Sequence, residues 1–210
     1  MAIKPILFNS EMVRAILDGR KDATRRIVKG FIPDDAVWGY TAFTPKGYIS
    51  CRGTFADGYG EKFFKLPCEP GDILYVRETW KKALNGYYYY EAWQRNDIAD
   101  VTKWKSPVCM PKEASRIWLK VKNVRVERLQ KITEDGCIAE GVYPSNCRGC
   151  NATFGCDTCP DEGYNEIDEF SEIWDSTVKK SDIDRYGWDA NPWVWTIEFE
   201  QCEKPEEISG

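Results

Sequence analysis

Between Ser115 and Leu129 apolar residues recur at every second position. Ile117, Leu119 and Val121 set the phase, and Val124 and Val126 continue it one step out of register. A period of two marks a strand with one buried face. The phase change near Asn123 predicts a bulge, where one extra residue is accommodated in the ladder. So long a half-buried strand needs neighbours, and the chain offers them. Trp193–Phe199 alternates in the same way. Asp72-Ile73-Leu74-Tyr75-Val76-Arg77-Glu78-Thr79-Trp80 follows a Pro70-Gly71 turn and reads as a buried strand emerging into polar residues. Lys4–Phe8 is a short strand, and Tyr87–Trp93 another, entered through a turn at Gly86. Nine tryptophans and eleven tyrosines suit such a β-rich chain, because aromatic rings fit pleated, half-buried surfaces.

Helices fall between these strands. Asn9 or Ser10 caps a first helix whose stripe is Met12, Val13, Ile16 and Leu17, and Gly19 ends it in the left-handed conformation. Thr133-Glu134-Asp135 opens a short helix through Ile138 to Glu140, stopped by Gly141. Ile167, Phe170, Ile173 and Trp174 place a third over Glu166–Val178. Residues 30–70, rich in Gly, Pro and aromatics, read as a β-meander or an elaborated loop whose pairing the pattern does not fix. These elements predict one α+β domain over residues 1–202 and a charged tail over 203–210.

The expected functional stretch is Gly19-Arg20-Lys21-Asp22-Ala23-Thr24-Arg25-Arg26, four cations and a hydroxyl in eight residues. The net charge of −5 argues against a chain that coats nucleic acid over its whole surface. Yet residues 1–30 carry seven Lys/Arg against three Asp/Glu, and residues 161–210 four against fifteen. That asymmetry favours a local site for an anionic ligand. The bland alternative is two solvated faces, with the arginines complementing the dipole of the first helix. Histidine is absent, so any acid–base chemistry falls to Lys, Glu/Asp, Thr/Ser, Tyr or Cys. The opening apolar run is broken by Lys4 and Pro5 and does not read as a signal peptide. No apolar stretch approaches the roughly 20 residues of a membrane span.

Nine cysteines include two Cys-x-x-Cys knuckles, Cys147 with Cys150 and Cys156 with Cys159, separated by five residues. With no secretory signal, this points to a reducing cytoplasm and a metal rather than disulfides. Four thiolates satisfy tetrahedral zinc in a closed site, so the expected zinc is structural and holds an insertion over residues 143–165. An iron–sulfur cluster has the same ligand demand, and four unliganded thiols are the remaining alternative. Cys51, Cys68, Cys109, Cys137 and Cys202 are expected to pack rather than to bind metal.

Together, Lys4-Pro5-Ile6-Leu7-Phe8, Gly19-Arg20-Lys21-x-x-Thr24-Arg25-Arg26, Pro70–Trp80, Ser115-Arg116-Ile117, Ala139-Glu140-Gly141 and Trp188–Trp195 resemble the ASCH-domain family of the PUA-like superfamily. The likeness is nearest to members common in bacteriophages and prophages. It spans most of the chain outside residues 30–65, the cysteine insertion and the tail. It implies a PUA-like mixed β-barrel with flanking helices and a cleft for a base or short nucleic acid, RNA rather than DNA. Some smaller relatives are amidohydrolases that remove the acetyl group of N4-acetylcytidine without a cofactor. Carried over by motif, their lysine, threonine and glutamate fall on Lys21, Thr24 and Glu140. Thr24 is then the nucleophile, Lys21 its base, and Glu140 the proton donor or the group that orients the base. Arg20, Arg25 and Arg26 hold an anion and, with burial, lower the Lys21 pKa. Asp22 stands where the family often has Thr, and its charge favours protonated Lys21. Glu78 either lines the cleft or pairs with Arg77. Trp80, Tyr87 and Trp193 are candidates to stack on a base. The alternative to hydrolysis is a module that binds RNA, DNA or a base without turnover, and a nuclease is a weaker third reading.

Overall fold

A computed structural model describes residues 1–93, 103–143 and 166–206. In chain order it contains β1 (Ile3–Leu7), α1 (Ser10–Leu17), β2 (Ala23–Ile27), β3 (Val37–Gly39), β4 (Tyr48–Phe55), β5 (Gly58–Lys65), β6 (Ile73–Arg77), β7 (Trp80–Ala83), β8 (Gly86–Tyr89) and α2 (Tyr90–Trp93). After these come β9 (Trp118–Arg128), α3 (Glu134–Ala139), α4 (Glu166–Thr177), α5 (Ile183–Tyr186) and β10 (Trp193–Cys202). The architecture is mixed α+β. Among the described residues no helix is long and apolar enough to cross a membrane.

Five strands form the main sheet in the order β1-β6-β9-β10-β2. β1 runs parallel to β6 and every other pairing is antiparallel. The expected bulge is present: Glu198 faces Asn123 while Phe199 faces Val121, so Lys122 is the extra residue. Pro5 lies in edge strand β1, where a missing N–H is tolerated. The two edge strands, β1 and β2, share no ladder, so the backbone pairing does not close a barrel. A side chain spans the seam instead, with Arg26 Nη2 donating to the Leu7 carbonyl at 2.7 Å.

One face of this sheet buries Leu74, Val76, Leu119, Val121, Trp195, Ile197 and Phe199 against Val13 and Ile16 of α1. The opposite face of β10 presents Val194 to Leu129, Cys137, Phe170 and Trp174, so α3 and α4 cover that side. Residues 30–65 are a meander: β3-β4-β5 form a separate antiparallel sheet. Trp38 ties it to the main sheet by edge contacts with Trp193 and Trp195, at 5.7 and 6.2 Å between ring centroids.

Two expectations change. The basic stretch, which shows no strand period, nevertheless enters edge strand β2 at residue 23 and pairs with β10 from Ala23↔Glu198 to Ile27↔Val194. Of Tyr87–Trp93, only the portion through Tyr89 is strand, hairpinned to β7, and the chain then turns into α2. The four expected zinc ligands, Cys147, Cys150, Cys156 and Cys159, all lie outside the described residues.

Candidate active site

The basic stretch closes two helices, α1 with its backbone and α3 with its cationic side chains. The last carbonyls of α1 are taken by backbone N–H groups: Arg14 O by Asp18, Ile16 O by Gly19, and Ala15 O by both Arg20 and Lys21. The cations serve α3. That helix begins at Thr133, whose hydroxyl accepts from Gly136 N, and stops at Gly141 with φ 98°. Its terminal carbonyls need donors. The Asp22 N–H reaches Ala139 O at 3.0 Å, Lys21 Nζ reaches Glu140 O at 2.7 Å, and Arg20 Nη1 reaches Gly141 O at 2.7 Å. Positive charge at a helix C-terminus is also favoured by the dipole.

This cap brings Lys21 and Glu140, 119 residues apart, into a buried ion pair with Nζ to Oε2 at 2.6 Å. Glu140 Oε1 accepts from Arg25 Nη1 at 3.3 Å. Arg25 Nη2 continues to Glu127 Oε1 at 2.9 Å, which also accepts from the Thr196 hydroxyl at 2.7 Å. Arg125 joins Glu127 to Glu198. Glu127, Thr196 and Arg125 were not expected from sequence. Their one signal is charge at Arg125 and Glu127, alternating with the apolar face of β9.

Lys21 Nζ meets three acceptors, the third being Ala23 O at 2.8 Å, so each proton of the ammonium has a partner. Burial opposes that charge and holds the Lys21 pKa below the ordinary lysine value. Glu140 offsets part of the effect, while Arg26 and Arg25 add to it. Asp22 is exposed and Glu140 supplies the counter-charge, so Asp22 does not govern Lys21. Arg20 turns away to Gly141 O, Asp18 and the ring of Tyr143. In Glu127, burial alone would raise the pKa. The Thr196 hydroxyl, Arg25 and Arg125 outweigh it and hold the carboxylate below its usual range.

Thr24 is buried opposite Ile197 on the core face of β2, and Arg25 points to the other face. No hydrogen bond joins its hydroxyl to Lys21 or Glu140 among the described residues. It shares a strand face with Arg26, whose guanidinium lies 5.2 Å from the Phe8 ring centroid; Lys21 Nζ lies 5.5 Å from the same ring. Lys21 and Arg26 therefore both approach the Phe8 ring, and Glu140 meets Lys21 from α3.

Glu78 and Trp80 belong elsewhere. Glu78 is buried and held in a two-pronged bond by Arg116, Nε to Oε1 and Nη2 to Oε2 both at 2.9 Å, not by Arg77. Arg116 also reaches Glu91, which Arg14 contacts from α1. Trp80 is buried against Met110, Ala114 and Tyr87, so it is core rather than an open platform, whereas Tyr87 and Trp193 are half-buried, Trp193 against Trp38 and Arg128. Cys51, Cys68 and Cys137 are buried thiols, with burial pushing their pKa values to about 11, 12 and 12. Cys202 is half-buried, and Cys109 is exposed on a short helical turn rather than packed. Among the described residues no group of three or more Cys, Asp or Glu side chains is placed to hold a metal ion. Cys147, Cys150, Cys156 and Cys159 fall outside that set.

Two cavities flank the cluster. One, about 240 Å³, lies between α1 and α4, with Arg14, Arg20, Glu140 and Tyr143 in its wall. The other, about 340 Å³, occupies the seam between β1 and β2 and is lined by Arg26. Lys21 and Thr24 line neither. Comparison with known proteins finds no match to a family model, to a curated protein or to a solved structure.

Proposed function

We propose that this chain is an ASCH-like, PUA-like protein acting on nucleosides, an amidohydrolase that removes an acyl group from a modified base such as N4-acetylcytidine. The observation that carries this reading is the 2.6 Å contact between Lys21 and Glu140, residues paired beforehand only by the sequence likeness. A buried ammonium–carboxylate pair is one proton transfer from an amine and a carboxylic acid. Burial already lowers the Lys21 pKa and so favours that transfer. The amine then takes the Thr24 proton as the hydroxyl oxygen attacks the acyl carbonyl, and the acid protonates the departing N4 amine. Water then hydrolyses the acyl-threonine ester, restoring the Thr24 hydroxyl and releasing a carboxylate and a proton. This chemistry requires Lys21 and Thr24, both buried, to become open to substrate. A structural zinc on Cys147, Cys150, Cys156 and Cys159 belongs to the same proposal, supported by the paired spacing of the four thiols.

The test is incubation with N4-acetylcytidine and chromatography of the products. Cytidine from the wild type and not from Lys21→Ala supports the hydrolase. No cytidine, across several acyl groups, refutes it. One observation favours a second reading, a module that binds a base, RNA or DNA without turnover. All three protons of Lys21 already have acceptors, which suits a fixed cation better than a base. Binding of cytidine or a short RNA without product release selects that reading.

A further inference from the structure

Charge in the cluster balances with one member left over. Lys21, Arg25 and Arg125 close with Glu140, Glu127 and Glu198, three cations against three carboxylates in continuous contact. Arg26 is not in that set. Among the described residues it forms no ion pair, and its one hydrogen bond runs to the backbone carbonyl of Leu7. It is half-buried against Phe8, and burial works against its charge with only partial relief from Glu140. Charges taken out of water are ordinarily paired.

The place where Arg26 sits supplies the second observation. The seam cavity of about 340 Å³ falls within the size range of small-molecule sites, about 300–1,000 Å³. Its lining holds two basic residues, Arg26 and Lys4, and no Asp or Glu. Lys4 is neutralised by Asp72 at 2.9 Å, so the unbalanced charge is that of Arg26. Apolar walls come from Pro5, Ile6, Leu7 and Ile197. Cys68 adds no negative charge, because burial holds its thiol pKa at about 12. The cavity between α1 and α4 differs, since Glu11, Glu140 and Glu169 oppose Arg14 and Arg20 there.

We propose that the seam between β1 and β2 is a phosphate site for a nucleotide, with Arg26 holding the phosphate and the apolar walls taking the rest of the ligand. That the ligand is a nucleotide rests on the nucleoside reading above, whereas the anion site rests on the charge balance and the cavity. The site thus selects a phosphorylated ligand over the free nucleoside.

The experiment is calorimetric titration of the full chain with cytidine 5′-monophosphate, cytidine and inorganic phosphate at matched ionic strength, for wild type and Arg26→Gln. The wild type binds the monophosphate about tenfold or more tightly than cytidine, the worth of charge-assisted hydrogen bonding. Inorganic phosphate competes with it, and Arg26→Gln erases the preference. Equal binding of the two ligands, binding of neither, absence of competition by phosphate, or a preference that survives in Arg26→Gln overturns the proposal. Should the variant not fold, the wild-type preference and competition decide alone. Cytidine release from N4-acetylcytidine is scored separately. Turnover without phosphate preference removes the seam site and keeps the hydrolase, and the reverse result does the opposite.

Discussion

Replacing Glu140 with Gln should cost far more than replacing Lys21 with Met, although the two form one pair. The side chains of Lys21, Arg25 and Glu140 are 0%, 3% and 6% exposed, so solvent screens little of this interaction. Glu140→Gln leaves Lys21 without a counter-charge and Arg25 with Glu127 alone. Removing one partner of a buried pair costs about 3–5 kcal/mol. For a chain of this size that lowers the melting temperature by roughly 6–20 °C. Lys21→Met leaves Glu140 with Arg25 and forfeits hydrogen bonds to Ala23 O and Glu140 O, a loss of about 1–3 kcal/mol. Urea unfolding monitored by tryptophan fluorescence gives both values. The pH dependence carries a sign. Lys21 has a folded pKa below its unfolded value of 10.5, so between the two the unfolded chain holds more protons and stability rises with pH. Without Glu140 the folded pKa falls further, and Glu140→Gln therefore recovers stability over a wider alkaline window than the wild type. Lys21→Met, which lacks the group, shows no such gain. A Lys21→Met variant as unstable as Glu140→Gln, or a Glu140→Gln loss under 1 kcal/mol, would refute the pairing argument.

Other outcomes rest on particular contacts and spacings. Gly141→Ala introduces a Cβ 2.8 Å from the Ala15 Cβ at φ 98°, so clash and backbone strain add, and a thermal melt should show a loss of about 2 kcal/mol or more. Arg116→Met strands Glu78, whose pKa burial already raises above its ordinary 4.5. A carboxylate with a raised folded pKa is best tolerated when protonated, so the defect should shrink as pH falls toward 4.5, and an unchanged defect in acid contradicts this. For Cys147, Cys150, Cys156 and Cys159, elemental analysis should return about one zinc per chain, and under half an equivalent with no iron counts against the proposed four-thiolate site.

The parts legible in sequence are those where one residue type answers one local demand. Period-two alternation placed β9 and β10, and the phase slip located the bulge beside Asn123, because a buried face leaves no freedom in register. Asn9, Thr133, Gly19 and Gly141 marked helix ends for the same kind of reason. β2 escaped because the residues 24–26 on both its faces are polar: Thr24 and Arg26 turn one way, Arg25 the other toward Glu127 and Glu140, so no apolar period exists. Nor does local sequence say which helix the cations cap. The nearer helix, α1, is closed by backbone N–H groups, those of Arg20 and Lys21 included, which leaves the side chains of these two residues to close α3, more than a hundred residues on. That choice creates the site. A lysine drawn to a helix terminus for its carbonyl arrives beside the carboxylate of the same residue, Glu140, with α3 and β2 excluding water from both. Capping and ion pairing are thus one interaction. It follows that Lys21→Arg, which keeps the charge but not the compact three-proton geometry, should weaken the α3 terminus as well as the pair, read as faster amide hydrogen exchange at residues 138–141 alongside a lowered melting temperature.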